Sequence, residues 1–259
     1  MFPVLDPYAP ALTIDQCIVS CKMNNLKVNL QNVRSRLDCA CTKAGRKPSE
    51  VKILAVSKRH PENRIRDLYQ LGQRAFGENY VQEALAKQAL LSELDIEWHF
   101  IGPLQSNKTR EVAQHFHWVQ SVDRKKILRR LSDQRPESLP ELNVCLQVNI
   151  DQEEQKSGLM PEQLGELVQY AADLKNLRLR GLMAIPKPAS ADHDPSGSYQ
   201  RMNELFHGLI AAGIKLDTLS MGMSGDLEEA IMHGSTMVRI GTDLLGPRAR
   251  KTAKILQEN

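Results

Sequence analysis

The stretch that decides the fold is Val51-Lys52-Ile53-Leu54-Ala55-Val56-Ser57-Lys58, a short apolar run that ends in a primary amine. A run of this length, rich in Val, Ile and Leu, is typical of a strand that is buried on both faces of a parallel sheet. Pro61 follows as a helix-start signal, so Lys58 lies where a strand ends and a loop begins. Because loops at the carboxyl ends of parallel strands form ligand pockets, the stretch predicts an α/β fold with an amine at its ligand-binding edge. A lysine that simply extends into solvent is the alternative at this point.

The same kind of apolar run recurs along the chain, and helical patterns separate the runs. The predicted strands cover residues 51–57, 74–77, 97–102, 118–122, 143–150, 178–185, 217–222 and 237–241. The predicted helices between them cover residues 62–71, 79–94, 106–116, 124–133, 161–174, 199–212 and 226–233, with a last helix after Pro247. Strands that alternate with helices in this way form parallel βα units.

Two architectures fit this pattern of βα units, an open doubly wound sheet and a closed (β/α)₈ barrel. The number of strands favours the barrel. So does the absence of a G-x-G-x-x-G fingerprint after the first strand, where Ser57-Lys58 stands instead. The sequence therefore predicts a single TIM-type barrel. An extra amphipathic helix precedes its first strand, since Leu26, Leu30, Val33 and Leu37 recur at helical spacing.

The chain is predicted to consist of two regions. Residues 1–21 contain three prolines and no clear period, which indicates an irregular N-terminal extension. Residues 22–259 form a single barrel domain, because nothing in the sequence marks a second domain. Within this domain, residues 186–198 form a long loop after the sixth strand, which could act as a flap or be a disordered insertion.

Composition restricts the class of protein. With 41% hydrophobic residues, 25% charged residues and a net charge of +3, the 259-residue chain is typical of a soluble globular protein without a general polyanion-binding role. No apolar run reaches the roughly 20 residues that span a bilayer, and the N-terminus lacks the features of a signal peptide, so we expect a cytoplasmic protein. The basic residues within 124–130 indicate a solvated helix face rather than a nucleic-acid site. The five cysteines lack the spacing of zinc ligands, so we expect free thiols and no bound metal.

Two glycine-containing loops carry the main functional signal. Ser220-Met221-Gly222-Met223-Ser224-Gly225 follows the seventh strand, and Arg239-Ile240-Gly241-Thr242 ends the eighth. Barrels often bind phosphate groups at these two positions, where glycines let the backbone approach and the Ser224 and Thr242 hydroxyls can donate. Each loop alone could be an ordinary turn with a capping hydroxyl. Together with the strand-one lysine, they indicate a phosphorylated aldehyde that reacts with Lys58, such as pyridoxal 5′-phosphate (PLP).

Arg239 is expected to point inward from the eighth strand. A buried arginine needs an acceptor, and a pyridine nitrogen is one. Because arginine does not readily give up its proton, it would keep that nitrogen unprotonated and weaken the cofactor as an electron sink. An ion pair with a carboxylate inside the barrel is the alternative.

Six segments of the sequence resemble the pyridoxal phosphate homeostasis proteins. They are Ala55–Lys58 (AVSK), Phe76–Glu83 (FGENYVQE), Trp98–Lys108 (WHFIGPLQSNK), Gly181–Pro186 (GLMAIP), Ser220–Ser224 (SMGMS) and Arg239–Thr242 (RIGT). The resemblance runs from about residue 22 to Arg248 and implies the barrel of the alanine racemases without the second domain of those enzymes. It also implies that Lys58 forms a Schiff base with PLP and that Arg239 faces the pyridine nitrogen. It further implies that Asn79 contacts the ring. The phosphate contacts that it implies come from Ser224, Gly241, Thr242 and the Met223 backbone.

The chain departs from the family pattern at Gly225, where a carboxylate is usual, and at Leu244-Leu245-Gly246, where Ile-Phe-Gly is common. The resemblance implies a monomeric, cytoplasmic protein that holds PLP for intracellular PLP homeostasis, with apo-enzymes as recipients and without catalysis of its own. A PLP-dependent amino-acid racemase is one alternative. Racemases need a base on each face of the substrate, and in alanine racemases the second base is a tyrosine of the additional domain. A nucleotide- or phosphosugar-binding barrel without PLP is the other alternative.

Overall fold

Eight parallel strands close into a barrel in the computed structural model of the chain, which describes residues 14–190 and 194–247 and, within them, side chains from residue 24 onward. The strands are β1 (Lys52–Val56), β2 (Ala75–Glu78), β3 (Glu97–Phe100), β4 (Trp118–Val122), β5 (Leu142–Val148), β6 (Leu177–Ala184), β7 (Thr218–Ser220) and β8 (Met237–Ile240). Each strand pairs with its neighbours in chain order, and β1 pairs with β8 to complete the ring. The predicted (β/α)₈ barrel is confirmed.

In the described part of the chain, one helix precedes β1, and one further helix follows each strand on the outside of the barrel. They are α1 (Ile14–Lys43), α2 (Glu62–Gln70), α3 (Val81–Leu90), α4 (Thr109–His115), α5 (Lys125–Gln134), α6 (Leu164–Ala172), α7 (Ser196–Ala211), α8 (Leu227–Met232) and α9 (Thr242–Leu245). Short 3₁₀ helices cover Pro48–Glu50, Ser106–Lys108 and Pro161–Gln163. All seven helices predicted between strands are present, although the helix predicted over 79–94 ends earlier, at Leu90. The helix predicted after Pro247 lies outside the described residues.

The N-terminal boundary was predicted wrongly in part. Residues 1–21 were expected to be irregular, but residues 14–21 belong to α1, which runs without interruption from Ile14 to Lys43. The prolines that suggested an irregular segment end at Pro10, and no proline or glycine interrupts the chain between Ile14 and Lys43. The rest of the proposed extension lies outside the described residues. Part of the predicted 186–198 loop also lies outside the described residues. The loop ends earlier than predicted, because α7 already begins at Ser196.

Helix α1 packs its predicted apolar face against the barrel, close to the loops after β7 and β8. Leu26, Leu30, Val33 and Leu37 are all buried, and α1 contacts both α8 and α9. The predicted extra amphipathic helix is therefore confirmed. Its position matters for function, because it places polar side chains of α1 beside the carboxyl ends of the last two strands.

Three further expectations can be compared with the described residues. Cys39, Cys41 and Cys145 are free thiols. Within residues 14–190 and 194–247, no group of three or more potential ligands is arranged to hold a metal ion. None of the helices in that part of the chain has the length and apolar character that a membrane crossing requires.

Candidate functional site

A cavity of about 230 Å³ opens at the carboxyl ends of the strands. The residues predicted to bind the cofactor all line it, namely Lys58, Asn79, Met223, Ser224, Arg239, Gly241 and Thr242. The rest of the lining comes from Val56, Ile101, Ile185 and Gly225. Because β1 and β8 are neighbours in the closed barrel, residues from both ends of the sequence meet in one place.

Lys58 lies two residues after the end of β1 and is half-buried in a tight turn. The Ser57 carbonyl accepts a hydrogen bond from the His60 N–H at 3.0 Å, which closes the turn. The third residue of the turn, Arg59, has a φ of 62°, in the left-handed region that favours glycine. Ser57 is fully buried, and its hydroxyl donates to a carboxylate oxygen of Glu78 at 2.6 Å. The lysine is thus presented by a strained turn whose first residue is anchored in the protein interior.

Arg239 points into the barrel from β8 and is buried. Its guanidinium donates to the Ser220 hydroxyl and to the Ala184 carbonyl, each at 2.8 Å. Burial lowers the pKa of Arg239 to about 10, so the side chain remains charged at neutral pH. The ion pair with a carboxylate, which the sequence left open, is not formed by the described residues, because both hydrogen-bond partners are neutral.

A chain of buried hydrogen bonds continues from Arg239 through the barrel interior. The Ser220 hydroxyl, which accepts from Arg239, donates to Gln120 Oε1 at 2.7 Å. The Gln120 amide donates to Nδ1 of His99 at 2.9 Å, and Nε2 of His99 donates to Glu97. Burial lowers the pKa of His99 to about 4, so the ring is neutral at pH 7 and its Nδ1 can accept. Each group in this series donates to the next one, from Arg239 to Glu97, and the series holds the Arg239 guanidinium in one orientation.

The loop after β7 is fixed by a glycine and an aspartate. Gly222 has a φ of 94°, and a Cβ at this position would lie 2.5 Å from a side-chain carbon of α8, so only glycine fits. Asp226 accepts the Met223 N–H at 2.5 Å with one carboxylate oxygen and the Tyr199 hydroxyl at 2.6 Å with the other. At Gly225, the departure from the family pattern, a Cβ would meet no atom within 4 Å. Asp226 therefore shapes this loop, and the space around Gly225 stays open.

Several hydrogen-bond donors at the cavity wall are not used by the residues that the structure describes. No hydrogen bond among the described residues uses the backbone N–H of Ser224, Gly225, Gly241 or Thr242. The Ser224 hydroxyl accepts from the Asp243 N–H at 3.4 Å, which leaves its own proton to donate. The Met223 N–H, by contrast, is already bonded to Asp226, an arrangement that sequence reasoning did not anticipate. Unengaged N–H and O–H groups gathered on one wall suit a bound anion.

Arg36 joins the loops after β7 and β8 from outside the cavity, and the sequence did not reveal this role. Its guanidinium donates to Glu228 at 2.6 and 2.8 Å and to Asp243 at 2.5 Å. It also donates to the Ser224 carbonyl at 2.8 Å. The hydrogen bond to Glu228 raises the pKa of Arg36 further above its usual value. Its partners lie 188 to 207 positions further along the chain, so no local pattern in the sequence connects them with Arg36.

Asn79 lies between this cavity and an adjoining one of about 270 Å³. Gly102 allows its close approach to the next strand, since a Cβ at Gly102 would lie 2.2 Å from the Asn79 carbonyl oxygen. The Oδ1 atom of Asn79 is buried and accepts no hydrogen bond from a described residue. Buried acceptors are usually paired, so this oxygen is available to a donor that enters the cavity.

Known proteins resemble most of the chain. The family model of the alanine racemase N-terminal domain matches residues 28–249. A pyridoxal phosphate homeostasis protein of Pseudomonas aeruginosa is 54% identical over 226 residues, which is 87% of this chain and 97% of that protein. The solved structure of PipY from Synechococcus elongatus with PLP bound has a TM-score of 0.72 at 36% identity, over 85% of this chain and 100% of PipY. An alanine racemase of Clostridium difficile shares the fold, with a TM-score of 0.64 at 15% identity, and the match covers 56% of that enzyme.

Proposed function

The chain belongs to the family of pyridoxal phosphate homeostasis proteins, and on that premise we propose that its cavity holds PLP as a Schiff base on Lys58, without catalysis of its own. One observation carries the proposal. An amine, a buried guanidinium and a wall of unengaged donors line the same cavity. When bound, PLP supplies an aldehyde that forms a Schiff base with a lysine amine and releases one water.

The residues that face the cavity match the parts of PLP in kind. Arg239 has three N–H groups left after its two interior hydrogen bonds, and these suit an unprotonated pyridine nitrogen. The unpartnered Oδ1 of Asn79 suits the ring hydroxyl. The hydrophobic side chains of Val56, Ile101 and Ile185 suit the faces and edges of the ring.

The phosphate is assigned to the wall formed by the loops after β7 and β8. Hydroxyls of Ser224 and Thr242 and the N–H groups of Gly225 and Gly241 are available there. Met223 lines the same wall, but we assign the hydrogen bonds to its neighbours because its own N–H is bonded to Asp226. These donors are neutral, and the Arg36 cation lies behind the wall. The phosphate therefore does not require a lysine as a direct contact.

The absence of catalysis is proposed from the titratable groups that line the cavity. Lys58 and Arg239 are the only two among the described lining residues. Racemisation requires a group that takes a proton on one face of the substrate α-carbon and another that returns it on the opposite face, and a single amine serves one face. Lys156 in the adjoining cavity is already paired with Glu153 at 2.5 Å. A protein that holds the cofactor is therefore better supported than a racemase-type enzyme.

The wider role that we propose is intracellular PLP homeostasis, performed by a cytoplasmic monomer that passes PLP to apo-enzymes. The Pseudomonas aeruginosa relative bears that name, and the match covers 97% of its length. PipY binds PLP and is covered completely by the match. The closed barrel leaves no unpaired edge in the described sheet through which two copies would join.

The test of the proposal is chemical fixation of the cofactor. Protein loaded with PLP should be yellow, and borohydride reduction should leave an adduct that mass spectrometry places on Lys58. Lys58→Ala should lose the adduct but retain binding of pyridoxine 5′-phosphate, which has the ring and the phosphate but no aldehyde. Lys175→Ala, at an exposed lysine between α6 and β6, is the control and should keep the adduct. An adduct on another residue of the unmodified protein would refute the assignment.

A further inference from the structure

A buried lysine on α3 is paired with one carboxylate of β2 and one of α3, and it contacts the turn that carries Lys58. Lys87 is 6% exposed, and its ammonium donates to Glu78 at 2.7 Å and to Glu83 at 2.6 Å. Its third donor goes to the Ser57 carbonyl at 2.9 Å. All three donors of the ammonium are therefore used, and one of them reaches the backbone next to Lys58.

Glu83 holds the other side of the same residue. The carboxylate oxygen that accepts from Lys87 also accepts the backbone N–H of Arg59 at 2.5 Å. Lys58 lies between these two contacts, so both of its peptide groups are held, one by Lys87 and the other by Glu83. Neighbouring residues on one helix face, four positions apart, thus fix the backbone of the lysine from both directions.

The turn has a physical need for such support. Arg59 occupies the third position with a φ of 62°, where glycine is favoured and a residue with a side chain is strained. A strained turn persists only when the surrounding structure holds it. The hydrogen bond to Glu83 acts on the peptide group between Lys58 and Arg59, which would rotate if Arg59 relaxed to a negative φ. The hydrogen bond from Lys87 holds the preceding peptide group, at the first residue of the turn.

The charged side chains of Glu78, Glu83 and Lys87 form a cluster whose composition argues against a role in packing alone. Glu78 is fully buried, its second carboxylate oxygen has no partner among the described residues, and burial raises the pKa of its carboxyl group. Buried charges are costly, and well-packed apolar side chains usually stabilise a fold at least as well. The cluster is therefore better explained by the geometry that it imposes on the turn.

We propose that Glu83 and Lys87 are positioning residues that hold the turn after β1 in the conformation that directs the Lys58 amine into the cavity. The proposal rests on the function proposed above for Lys58. It does not require either side chain to touch the cofactor.

The experiment compares covalent and non-covalent binding in Lys87→Met, Glu83→Ala and Glu83→Gln. Lys87→Met and Glu83→Ala should form the yellow Lys58 chromophore with PLP at least about tenfold more slowly than the unmodified protein. They should keep its affinity for pyridoxine 5′-phosphate, because the phosphate wall and Arg239 are unchanged. Glu83→Gln retains an acceptor for the Arg59 N–H and should be less impaired than Glu83→Ala. Hydrogen exchange of the Arg59 amide in protein without PLP should be about tenfold faster in Glu83→Ala.

Arg135→Met is the matched control for loss of a buried cation. Arg135 is 6% exposed and donates to the carbonyls of Ala113, Phe116 and Pro140, away from the cavity. It should alter stability without changing the rate of chromophore formation. Should Lys87→Met fail to fold, the comparison of Glu83→Ala with Glu83→Gln still decides the question.

The outcomes separate this inference from the proposed function. If the unmodified protein forms no chromophore on Lys58, the proposed function is refuted, and the inference fails with it. If the unmodified protein forms the chromophore and the α3 variants do so at the same rate, the inference alone is refuted. Equal losses of PLP and pyridoxine 5′-phosphate binding would also refute it, because they would indicate general damage to the site.

Discussion

Replacing Thr242 by alanine should weaken the binding of a phosphorylated ligand about 10- to 150-fold. Thr242 lines the cavity, is exposed, and forms no side-chain hydrogen bond with a described residue. The free protein therefore loses no internal contact when the hydroxyl is removed. The complex loses one hydrogen bond to a charged oxygen, which contributes about 1.5–3 kcal/mol and corresponds to the stated change in the dissociation constant.

The assay is calorimetric titration of PLP-free protein with pyridoxine 5′-phosphate. Because this ligand lacks the aldehyde, the covalent contribution of Lys58 does not mask the loss at the phosphate. Thr242→Ser restores the hydroxyl and should recover most of the affinity. Thr42→Ala removes the hydroxyl of an exposed threonine of α1, which bonds only to the Asp38 carbonyl, and should leave the affinity unchanged.

Ser224→Ala gives an independent measurement at the same wall. The Ser224 hydroxyl accepts only a long hydrogen bond, 3.4 Å, from the Asp243 N–H, so its removal should disturb the loop little and cost a similar loss of affinity. The unfolding midpoints of both variants should match that of the unmodified protein. Affinity equal to that of the unmodified protein in both Thr242→Ala and Ser224→Ala would show that the phosphate is assigned to the wrong wall.

The unfolding free energy should fall by about 3 kcal/mol as the pH is lowered from 6.5 to about 4. In that window the unfolded chain takes up a proton on His99, whereas the folded chain does not because its His99 pKa is lowered. His99→Gln should therefore flatten the decrease in unfolding free energy that denaturant titrations measure. If His99→Gln and the exposed-site variant His115→Gln show the same dependence of unfolding free energy on pH, the assignment to His99 is contradicted. Arg36→Met should weaken pyridoxine 5′-phosphate binding roughly three- to tenfold, because the Ser224 carbonyl and two carboxylates lose their shared cation; calorimetry showing unchanged affinity would mean that the loops need no such link. PLP-loaded protein incubated with L-amino acids should show neither racemisation nor deuterium uptake at the α-carbon at enzymatic rates of roughly 1–10³ per second, and turnover in that range would favour the racemase-type alternative.

The barrel could be predicted because its strands carry a local signal. Parallel strands buried on both faces are continuous runs of branched apolar residues, and the turn and cap residues between them mark the helices. The prediction of the N-terminal boundary was wrong because it also relied on a local signal, the prolines. Prolines before residue 11 were taken to represent the whole extension, although residues 14–21 are free of proline and glycine and continue α1.

The lining of the cavity could also be predicted, because glycine and hydroxyl residues at two strand ends mark loops whose positions the barrel fixes. The residues that support this lining from behind could not be predicted. Glu83 and Lys87 have the spacing of an ordinary surface pair on a helix, and only the packing of α3 against the turn after β1 buries Lys87. Arg36 finds its partners on α8 and beyond β8, at a separation that no local pattern reveals. The bond from the Met223 N–H to Asp226 spans three residues and was within reach of sequence reasoning, since aspartate commonly accepts from a nearby backbone N–H in turns.

If PLP binds as proposed, the surroundings of Arg239 would determine the protonation state of its ring. Its two interior hydrogen-bond partners among the described residues are a hydroxyl and a carbonyl rather than a carboxylate, and with a pKa of about 10 it stays protonated at neutral pH. Its remaining N–H groups can therefore only donate, which excludes a protonated pyridinium as their partner. A neutral pyridine ring withdraws electrons weakly, so PLP bound as proposed would give little stabilisation to a substrate carbanion. Racemisation also requires a group on each face of the substrate α-carbon, whereas the described lining here provides one amine, at Lys58. Replacing Arg239 with a carboxylate would therefore be expected to favour a protonated ring without supplying the missing base, and such a variant should gain α-proton exchange before it gains inversion.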